Sequence, residues 1–284
     1  MPGDNTLAAA RWSRLVADRL EEMQRLSPGL GSVSGPHWGN GRADRYAARM
    51  RERDTESDPF LRRLRTATHA SSRVIDVGAG TGRFALSLAS SVGHVTAVDP
   101  SEAMLTVLQR DSAQRGVANV TTVQARWEDA EIPIADVAFS AFALTLVRDA
   151  RPFLVKLDAA ARDHAFLYLG AFCTDAVLDP LWRHFHGAPR VPGPSYLDAV
   201  AVLRELGIAP KVKVVEVPNR RRFATIGEAV EEYRDGLMAP DTPAARRDLE
   251  ALLAEWLLGR RGAYRSPMPT VPAAIVHWRP RPRP

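Results

Sequence analysis

The sequence predicts an α/β fold with a doubly wound, mostly parallel sheet and helices on both of its faces. From Arg73 onward, short apolar runs alternate with helical segments, a pattern typical of a parallel sheet that is covered on both sides. A glycine-rich loop ends the first run and opens a helix, as in sheets that bind a ligand where their strands end. A chain of 284 residues suits one such domain with additions.

The apolar runs predict seven strands. Five of them alternate with helices, and two more follow in the last third of the chain. The predicted strands are 74–77, 95–98, 120–123, 135–140, 165–169, 212–217 and 273–277. The predicted helices of this part are 83–91, 101–115, 151–161, 181–185 and 196–206.

Helical segments also precede the alternating part. Residues 7–23 and 42–65, the latter broken near Pro59, have apolar positions at helical spacing. They predict an N-terminal helical cap over residues 1–70, ahead of a main domain over residues 71–284.

A helical insert at about 222–266 separates the last two predicted strands. Its first helix begins where Thr225 and Glu228 match the spacing of a capping box. Its second helix is predicted at about 243–258.

The composition is that of an ordinary globular protein. Hydrophobic residues make up 45% and charged residues 25% of the chain. No run reaches the roughly 18 apolar residues of a membrane span, and the N-terminus lacks the pattern of a secretion signal. We therefore expect a cytoplasmic protein, and its richness in arginine and alanine is typical of a bacterial, GC-rich coding sequence.

The net charge of +5 does not by itself indicate a nucleic-acid partner. Arginines at 220–222 and 260–261 could face phosphate, but charge runs are more often solvated surface, and no aromatic residues are interleaved with them. The single cysteine, Cys173, cannot form an internal disulfide or a thiolate metal cage. No histidine or carboxylate cluster has ligand spacing, so we expect no metal.

The glycine loop after the first strand favours a cofactor without phosphate. Gly78, Gly80 and Gly82 have the spacing G-x-G-x-G, whereas dinucleotide sites need G-x-G-x-x-G. Asp76 stands just before the glycines, where its charge would repel a pyrophosphate at the helix N-terminus but could hold an ammonium.

Asp99 ends the second strand, where a carboxylate can accept hydrogen bonds from both hydroxyls of a ribose. Nicotinamide enzymes use such an acid as well, so this residue does not discriminate between cofactors. A cap of the helix that follows Pro100 is the structural alternative.

Three segments in succession resemble the cofactor motifs of the class I S-adenosylmethionine-dependent methyltransferases. They run from Asp76 to Gly82, from Asp99 to Leu105 with the pattern Asp-x-Ser-x-x-Met-Leu, and from Arg126 to Pro133. The resemblance is clear over about 73–170. It implies a Rossmann-like sheet of seven strands with the last one antiparallel, S-adenosylmethionine as cofactor and S-adenosylhomocysteine as product.

The resemblance also implies roles for individual residues. Asp76, Gly78, Ala79, Gly80 and Gly82 would surround the methionine and ribose portions of the cofactor. Asp99 would bind the ribose, and Pro100 or Ser101 with Met104 would border the adenine. Trp127 and Glu128 would contact the adenine edge, although Asp129 could take the place of Glu128 and Trp127 could be ordinary core.

Aromatic and small residues border the expected crevice from two sides. Ser140 and Phe142 end the fourth strand, where they could border the methionine portion and the substrate channel, although Phe142 could equally be core. Trp38 and Tyr46 resemble the aromatic residues with which related enzymes close over the cofactor, although packing onto the sheet would explain them equally well.

Methyl transfer is an in-line displacement that needs alignment more than acid–base help, so a catalytic base is optional. His184 and His186 follow the fifth strand on the side expected for the acceptor and are the candidates for that base. The Asn-Pro-Pro-aromatic signature of nucleic-acid base methylation does not follow the fourth strand.

These features predict a methyltransferase that acts on oxygen, nitrogen or carbon of a small molecule. An RNA or protein methyltransferase is the alternative within the same class. A methyltransferase-like scaffold without turnover and a nicotinamide oxidoreductase are the alternatives from other classes. The oligomeric state is left open.

Overall fold

A seven-stranded sheet with the order β3-β2-β1-β4-β5-β7-β6 forms the centre of the computed structural model. The structure describes residues 7–26, 41–51, 54–171, 175–219, 221–260 and 262–281. Trp38 and Cys173 lie outside the described residues.

The strands confirm the predicted alternation. They are β1 Arg73–Val77, β2 His94–Asp99, β3 Val120–Gln124, β4 Ala135–Ala141, β5 Ala161–Gly170, β6 Lys211–Pro218 and β7 Thr270–Trp278. The first five pair in parallel, and β7 runs antiparallel to both of its neighbours, β5 and β6. β5 begins four residues earlier than predicted, at Ala161. The mostly polar residues at its amino end, up to His164, still pair with β4.

Ten helices lie in the described part of the chain. They are α1 Leu7–Leu26, α2 Arg42–Arg51, α3 Pro59–Arg65, α4 Arg83–Ala89, α5 Glu102–Gln114, α6 Ala150–Ala160, α7 Asp175–His186, α8 Tyr196–Glu205, α9 Ile226–Leu237 and α10 Pro243–Trp256.

Side-chain caps fix where several of these helices begin. Asp58 accepts from the Phe60 N–H at 2.8 Å, with Pro59 in the first helical position, which explains the predicted break. Thr225 accepts from the Glu228 N–H at 3.1 Å, and the Glu228 carboxylate accepts from the Ala224 N–H at 2.7 Å. The predicted capping partners are therefore in contact.

The two faces of the sheet carry separate apolar clusters, and the N-terminal helices contribute to both. Trp12 and Val16 of α1 are buried in the cluster that holds α6, α8 and one face of the strands. Phe60 and Leu64 of α3 are buried in the other cluster, with α4 and α5. Of the predicted cap, α1 and α3 are thus packed into the main core. None of the helices formed by the described residues is long and apolar enough to cross a membrane.

A third apolar cluster joins the predicted insert to α7. Leu181 and Trp182 of α7 pack with Tyr233 and Leu237 of α9 and with Leu249 of α10. The helices of the insert therefore bury their apolar sides in one cluster with α7.

His164, near the amino end of β5, and His277, near the carboxyl end of β7, should make the free energy of unfolding depend on pH. Burial, followed by the positive charges of Arg63 and Arg279, lowers the pKa of His164. Burial, Arg63, His164 and Lys211 lower the pKa of His277, and only Asp163 beside His164 and a backbone hydrogen bond at Lys211 oppose these effects.

Because the folded state binds these protons more weakly than the unfolded state, the free energy of unfolding should fall as the pH drops through about 6.5. Thermal melts across this range should show a steeper loss in wild type than in the double variant His164→Gln, His277→Gln. His69→Gln, at an exposed histidine, is the control. Equal slopes in the wild type and the double variant would contradict this assignment.

Candidate functional site

The candidate site lies where β1, β2 and β4 end at the same edge of the sheet. β1 sits between β2 and β4, so the chain leaves its carboxyl end in one direction and later returns on the other side. Such a switch point leaves a crevice beyond the strand ends. Asp76, Asp99 and Ser140 all lie at the carboxyl ends of these strands.

The three glycines of the loop all have left-handed backbone conformations, but for different reasons. A Cβ on Gly78 would lie 2.2 Å from the Cβ of Ala143, and one on Gly82 would lie 2.7 Å from Cγ of Leu108. A Cβ on Gly80 would meet nothing within 4 Å. Gly78 and Gly82 therefore permit internal close approaches, whereas Gly80 borders open space.

The loop is held against β2 by its own backbone. The N–H groups of Gly78 and Ala79 donate to the Val98 carbonyl at 2.8 and 3.0 Å, and the N–H of Gly82 donates to the Ala79 carbonyl at 2.9 Å. The position of Gly80 is thus fixed without a ligand.

The Asp76 carboxylate is buried behind this loop and is 2% exposed. The backbone N–H of Ala85, in the first turn of α4, hydrogen-bonds to it. Burial raises the pKa of Asp76 well above its ordinary range, the negative charge of Asp99 raises it further, and the Ala85 hydrogen bond lowers it. The N-terminus of α4 is therefore already occupied by a carboxylate, which disfavours a pyrophosphate there.

Asp99 faces the same loop from the end of β2. Its carboxylate accepts from the Gly80 N–H and from the Ser101 N–H, both at 2.9 Å. Burial raises its pKa, and these two hydrogen bonds lower it. The N-cap of α5 is Ser101, so the alternative that Asp99 caps this helix is wrong.

The two carboxylates carry no compensating charge from the described part of the chain. Neither Asp76 nor Asp99 forms an ion pair there, and only backbone N–H groups donate to them. Buried charges are normally paired, so this arrangement suits a ligand that brings positive charge and hydroxyl donors.

Ser140 brings a second unsatisfied group to the same edge. It pairs with Val77 of β1 and Leu167 of β5 and is 0% exposed. Its Oγ is buried and makes no hydrogen bond to any described residue. A buried hydroxyl without a partner costs about 1–3 kcal/mol, so a ligand atom that reached it would relieve that cost.

Phe142, two residues further on, is both strained and exposed. Its φ of 60° lies in the left-handed region, and 40% of the residue is accessible. For a bulky side chain, this conformation costs about 1–2 kcal/mol. It is held by the Phe142 N–H, which donates to the Tyr168 carbonyl at 2.8 Å.

The structure places Trp127 in the core. It is 4% exposed, its indole N–H donates to the Phe153 carbonyl at 3.1 Å, and Lys156 Nζ lies 5.0 Å from its ring centroid. These contacts agree with the alternative that Trp127 is core. Glu128 lies on the same short turn with its side chain 24% exposed, whereas the side chain of Asp129 is 72% exposed.

Residues predicted to border the adenine lie where α2 packs on α5. Met104, 3% exposed, forms a small cluster with Ala43 and Ala47, and Tyr46 packs against it. Pro100 is half-buried at the end of β2. The structure therefore brings Tyr46 and Met104 together beside the helix that follows Asp99.

The two candidate histidines lie near the carboxyl end of α7, far from the glycine loop in sequence. His184 is exposed, and its ring lies 5.1 Å from that of Phe185. His186 Nε2 lies 2.9 Å from the Leu237 carbonyl oxygen of α9, and its ring lies 4.2 Å from that of Trp182. Since a carbonyl only accepts, Nε2 carries the proton of the neutral ring and Nδ1 is the basic nitrogen.

Sequence reasoning missed two features of this edge. The bond from Ala85 to Asp76 is a contact between a strand and the helix after it that no residue pattern encodes. The left-handed backbone of Phe142 also has no sequence signal, because a bulky aromatic residue is disfavoured there. The close approach of Ala143 to Gly78 is indicated in the sequence only by the small size of both residues.

Residues 74–162 match the model of a family described as a methyltransferase domain. A curated protein of Haemophilus influenzae, described as uncharacterized, is 30% identical over 151 residues, which are 51% of this chain and 54% of that protein. The chain thus spans about half the length of this curated relative.

Two solved structures illustrate the fold. The YcgJ protein of Bacillus subtilis has a TM-score of 0.55 at 18% identity, over 78% of this chain and 98% of that one. The magnesium protoporphyrin IX methyltransferase of Synechocystis, solved with bound S-adenosylhomocysteine, has a TM-score of 0.51 at 15% identity, over 98% of this chain and 100% of that one. At these identities, the two similarities concern the fold.

Alanine substitutions should separate the three glycines by stability. Gly78→Ala should lower the melting temperature most, because the rigid Ala143 Cβ cannot move aside, and Gly82→Ala should lower it less, because Leu108 can adjust its side chain. Gly80→Ala should cost only the left-handed conformation, about 1 kcal/mol. Thermal melts measure this order, and Gly80→Ala as the least stable variant would contradict it.

Proposed function

We propose that this chain is a class I S-adenosylmethionine-dependent methyltransferase and transfers a methyl group to oxygen, nitrogen or carbon of a small molecule. The observation that carries the proposal is the pair of buried carboxylates, Asp76 and Asp99, which flank Gly80 without a compensating cation in the described chain. The bound cofactor supplies a methyl group activated by its sulfonium.

The residues of the loop fit that cofactor. Asp76 would hold its ammonium, directly or through water, and Asp99 would turn its free lone pairs to the ribose hydroxyls. Gly80 leaves room for close approach, since no atom lies within 4 Å of its Cβ position. Ala79, Gly78 and Gly82 would shape the loop around it, with Ser140 Oγ as a further hydrogen-bonding group.

The adenine would lie towards α2 and α5. Met104 and Pro100 would cover one side of the ring, Tyr46 would close over it, and Glu128 would accept from its amino group. Trp127 would act indirectly, because its buried side chain supports the short turn that carries Glu128.

The surroundings of Phe142 support a small-molecule acceptor. Residues 140–147 read Ser-Ala-Phe-Ala-Leu-Thr-Leu-Val and contain no charged side chain. A nucleic acid would require cationic contacts to its phosphates close to the reacting base. The carboxyl end of β4 offers apolar surface instead.

Binding of S-adenosylhomocysteine should depend on both carboxylates. Calorimetry should give a Kd on the order of micromolar for wild type, and Asp99→Ala and Asp76→Asn should each weaken it by about tenfold to a hundredfold, because hydrogen bonds to charged groups are worth about 1.5–3 kcal/mol. Asp163→Asn, at the opposite end of the sheet, is the matched control. Binding of NAD instead would overturn the proposal.

The same titration should depend on pH. Because the folded pKa of Asp76 is raised, acid protonates it above the ordinary carboxyl range of about 4, and affinity for an ammonium ligand should fall as the pH drops towards that raised value. Asp76→Asn should bind weakly with a flatter dependence on pH.

A scaffold without turnover would bind the cofactor but not consume it.

We propose His186 as the first candidate for a catalytic base and His184 as the second. The bond from His186 Nε2 to the Leu237 carbonyl leaves Nδ1 as the nitrogen that can take a proton from an acceptor.

His186→Ala should lower the melting temperature by roughly 2 °C, because a hydrogen bond between α7 and α9 is lost, whereas His184→Ala should leave it unchanged. If His186 is the base, its alanine variant should also lower kcat about a hundredfold. Wild-type turnover in both variants would exclude a histidine base.

A further inference from the structure

We propose that Phe142 is the platform on which the methyl acceptor lies, and that the acceptor presents a planar, apolar face beside the atom that is methylated. This inference deepens the proposed function and rests on it. It assigns a chemical class to the acceptor, which the cofactor motifs leave open.

The backbone of Phe142 points to a role for its ring outside the core. The described residues include two non-glycine positions with positive φ, Phe142 at 60° and Met238 at 50°. Met238 is 9% exposed and caps α9, so burial accounts for its side chain. Phe142 keeps 40% of its surface accessible, so burial explains only part of its side chain. A glycine would meet the backbone requirement with less strain.

The ring of Phe142 is supported from behind by other aromatic rings. Its centroid lies 4.8 Å from that of Tyr168, and Tyr168 stacks on Phe60 at 4.5 Å with an interplanar angle of 17°. Phe84 lies 5.9 Å from Tyr168 in an edge-on arrangement. Tyr168 and Phe60 are fully buried. The exposed ring therefore stands on a rigid column and needs little ordering when a ligand binds.

The backbone around Phe142 is held by three contacts. The Phe142 N–H donates to the Tyr168 carbonyl at 2.8 Å, and the Thr145 hydroxyl donates to the Phe142 carbonyl at 3.4 Å. Ala143, the next residue, fills the space that a side chain at Gly78 would take. Phe142 thus directly precedes the residue that packs on the loop predicted to hold the cofactor, which would place its exposed ring between donor and acceptor.

The chemistry around the ring selects for apolar ligands. Leu146, in the turn that follows, is 47% exposed, so two large apolar side chains four residues apart face solvent at the ligand edge. The sequence between Ser140 and Val147 carries no charge to recognise a carboxylate, phosphate or ammonium. A flat apolar ligand gains most from such a surface, because it can stack on the ring and removes the largest apolar area from water.

A neutral planar fluorophore, N-phenyl-1-naphthylamine, tests this site without a known acceptor. It should be titrated into the full chain saturated with S-adenosylhomocysteine, and its emission should rise when it leaves water. Phe142→Gly should weaken its binding about tenfold. Phe142→Leu, which keeps an apolar side chain, should weaken it about threefold.

Two controls isolate the ring from its backbone and from general apolar exposure. Met238→Gly relieves the other left-handed residue, and Val214→Ser removes an exposed apolar side chain on the edge strand β6, where Val214 is 48% exposed. Both should bind the probe as wild type does. Met238→Gly and Val214→Ser should also keep wild-type affinity for S-adenosylhomocysteine. Cooperative thermal melts of Phe142→Gly and Phe142→Leu should show that these two variants are folded.

Unchanged probe affinity in Phe142→Gly and Phe142→Leu would overturn the proposal, as would a wild type that does not bind the probe or an equal loss in Val214→Ser. In each of these cases S-adenosylhomocysteine would still bind, so the proposed function would stand. Failure of wild type to bind S-adenosylhomocysteine would instead remove the proposed function itself.

Discussion

The pair of buried carboxylates, Asp76 and Asp99, is the constraint on which the rest of this site depends. Each is held by backbone N–H groups, Asp76 by Ala85 and Asp99 by Gly80 and Ser101. Ala85 and Ser101 can donate only if α4 and α5 begin within a few residues of the ends of β1 and β2. The turn between strand and helix must therefore be short, and the glycines permit such a tight turn.

The same constraint extends to β4. Gly78 can turn towards β2 only because it lacks a side chain, and Ala143 occupies the space that a Cβ would need. The chain brings Ala143 there by reversing at Phe142 in a left-handed conformation. The glycine at 78 and the strain at 142 thus belong to one close approach, which joins the loop expected at the methyl donor to the surface proposed for the acceptor.

The regular part of the fold was predictable from the sequence because its signals are local. Apolar runs of strand length and capping residues such as Thr225 fix elements within a few positions, and the motif order from Asp76 to Glu128 fixes their arrangement by resemblance. Contacts between distant residues were not predictable. Trp127 binds the carbonyl of Phe153, and His186 binds that of Leu237, 51 residues away. The pattern of a helix shows that it has an apolar side but not which partner covers that side. Trp12 is an example: the sequence placed it in a separate cap, whereas it lies in the main core.

The glycine loop and the surroundings of the candidate histidines are built from different elements. The carboxylates and glycines stand on paired strands, whose register fixes their positions. The third apolar cluster, which adjoins the candidate histidines, consists of helical and loop residues such as Trp182 and Leu237. Buried Glu22 of α1 accepts from the N–H of Val191, in the loop that follows α7, at 2.8 Å. Helices packed on one another can shift or change sequence without disturbing strand register. The residues predicted to bind the cofactor therefore lie on the more constrained elements and carry the recognisable motifs, whereas the surroundings of the candidate histidines are determined by helix packing. The surface proposed for the acceptor is defined by the side chains that residues such as Phe142 expose.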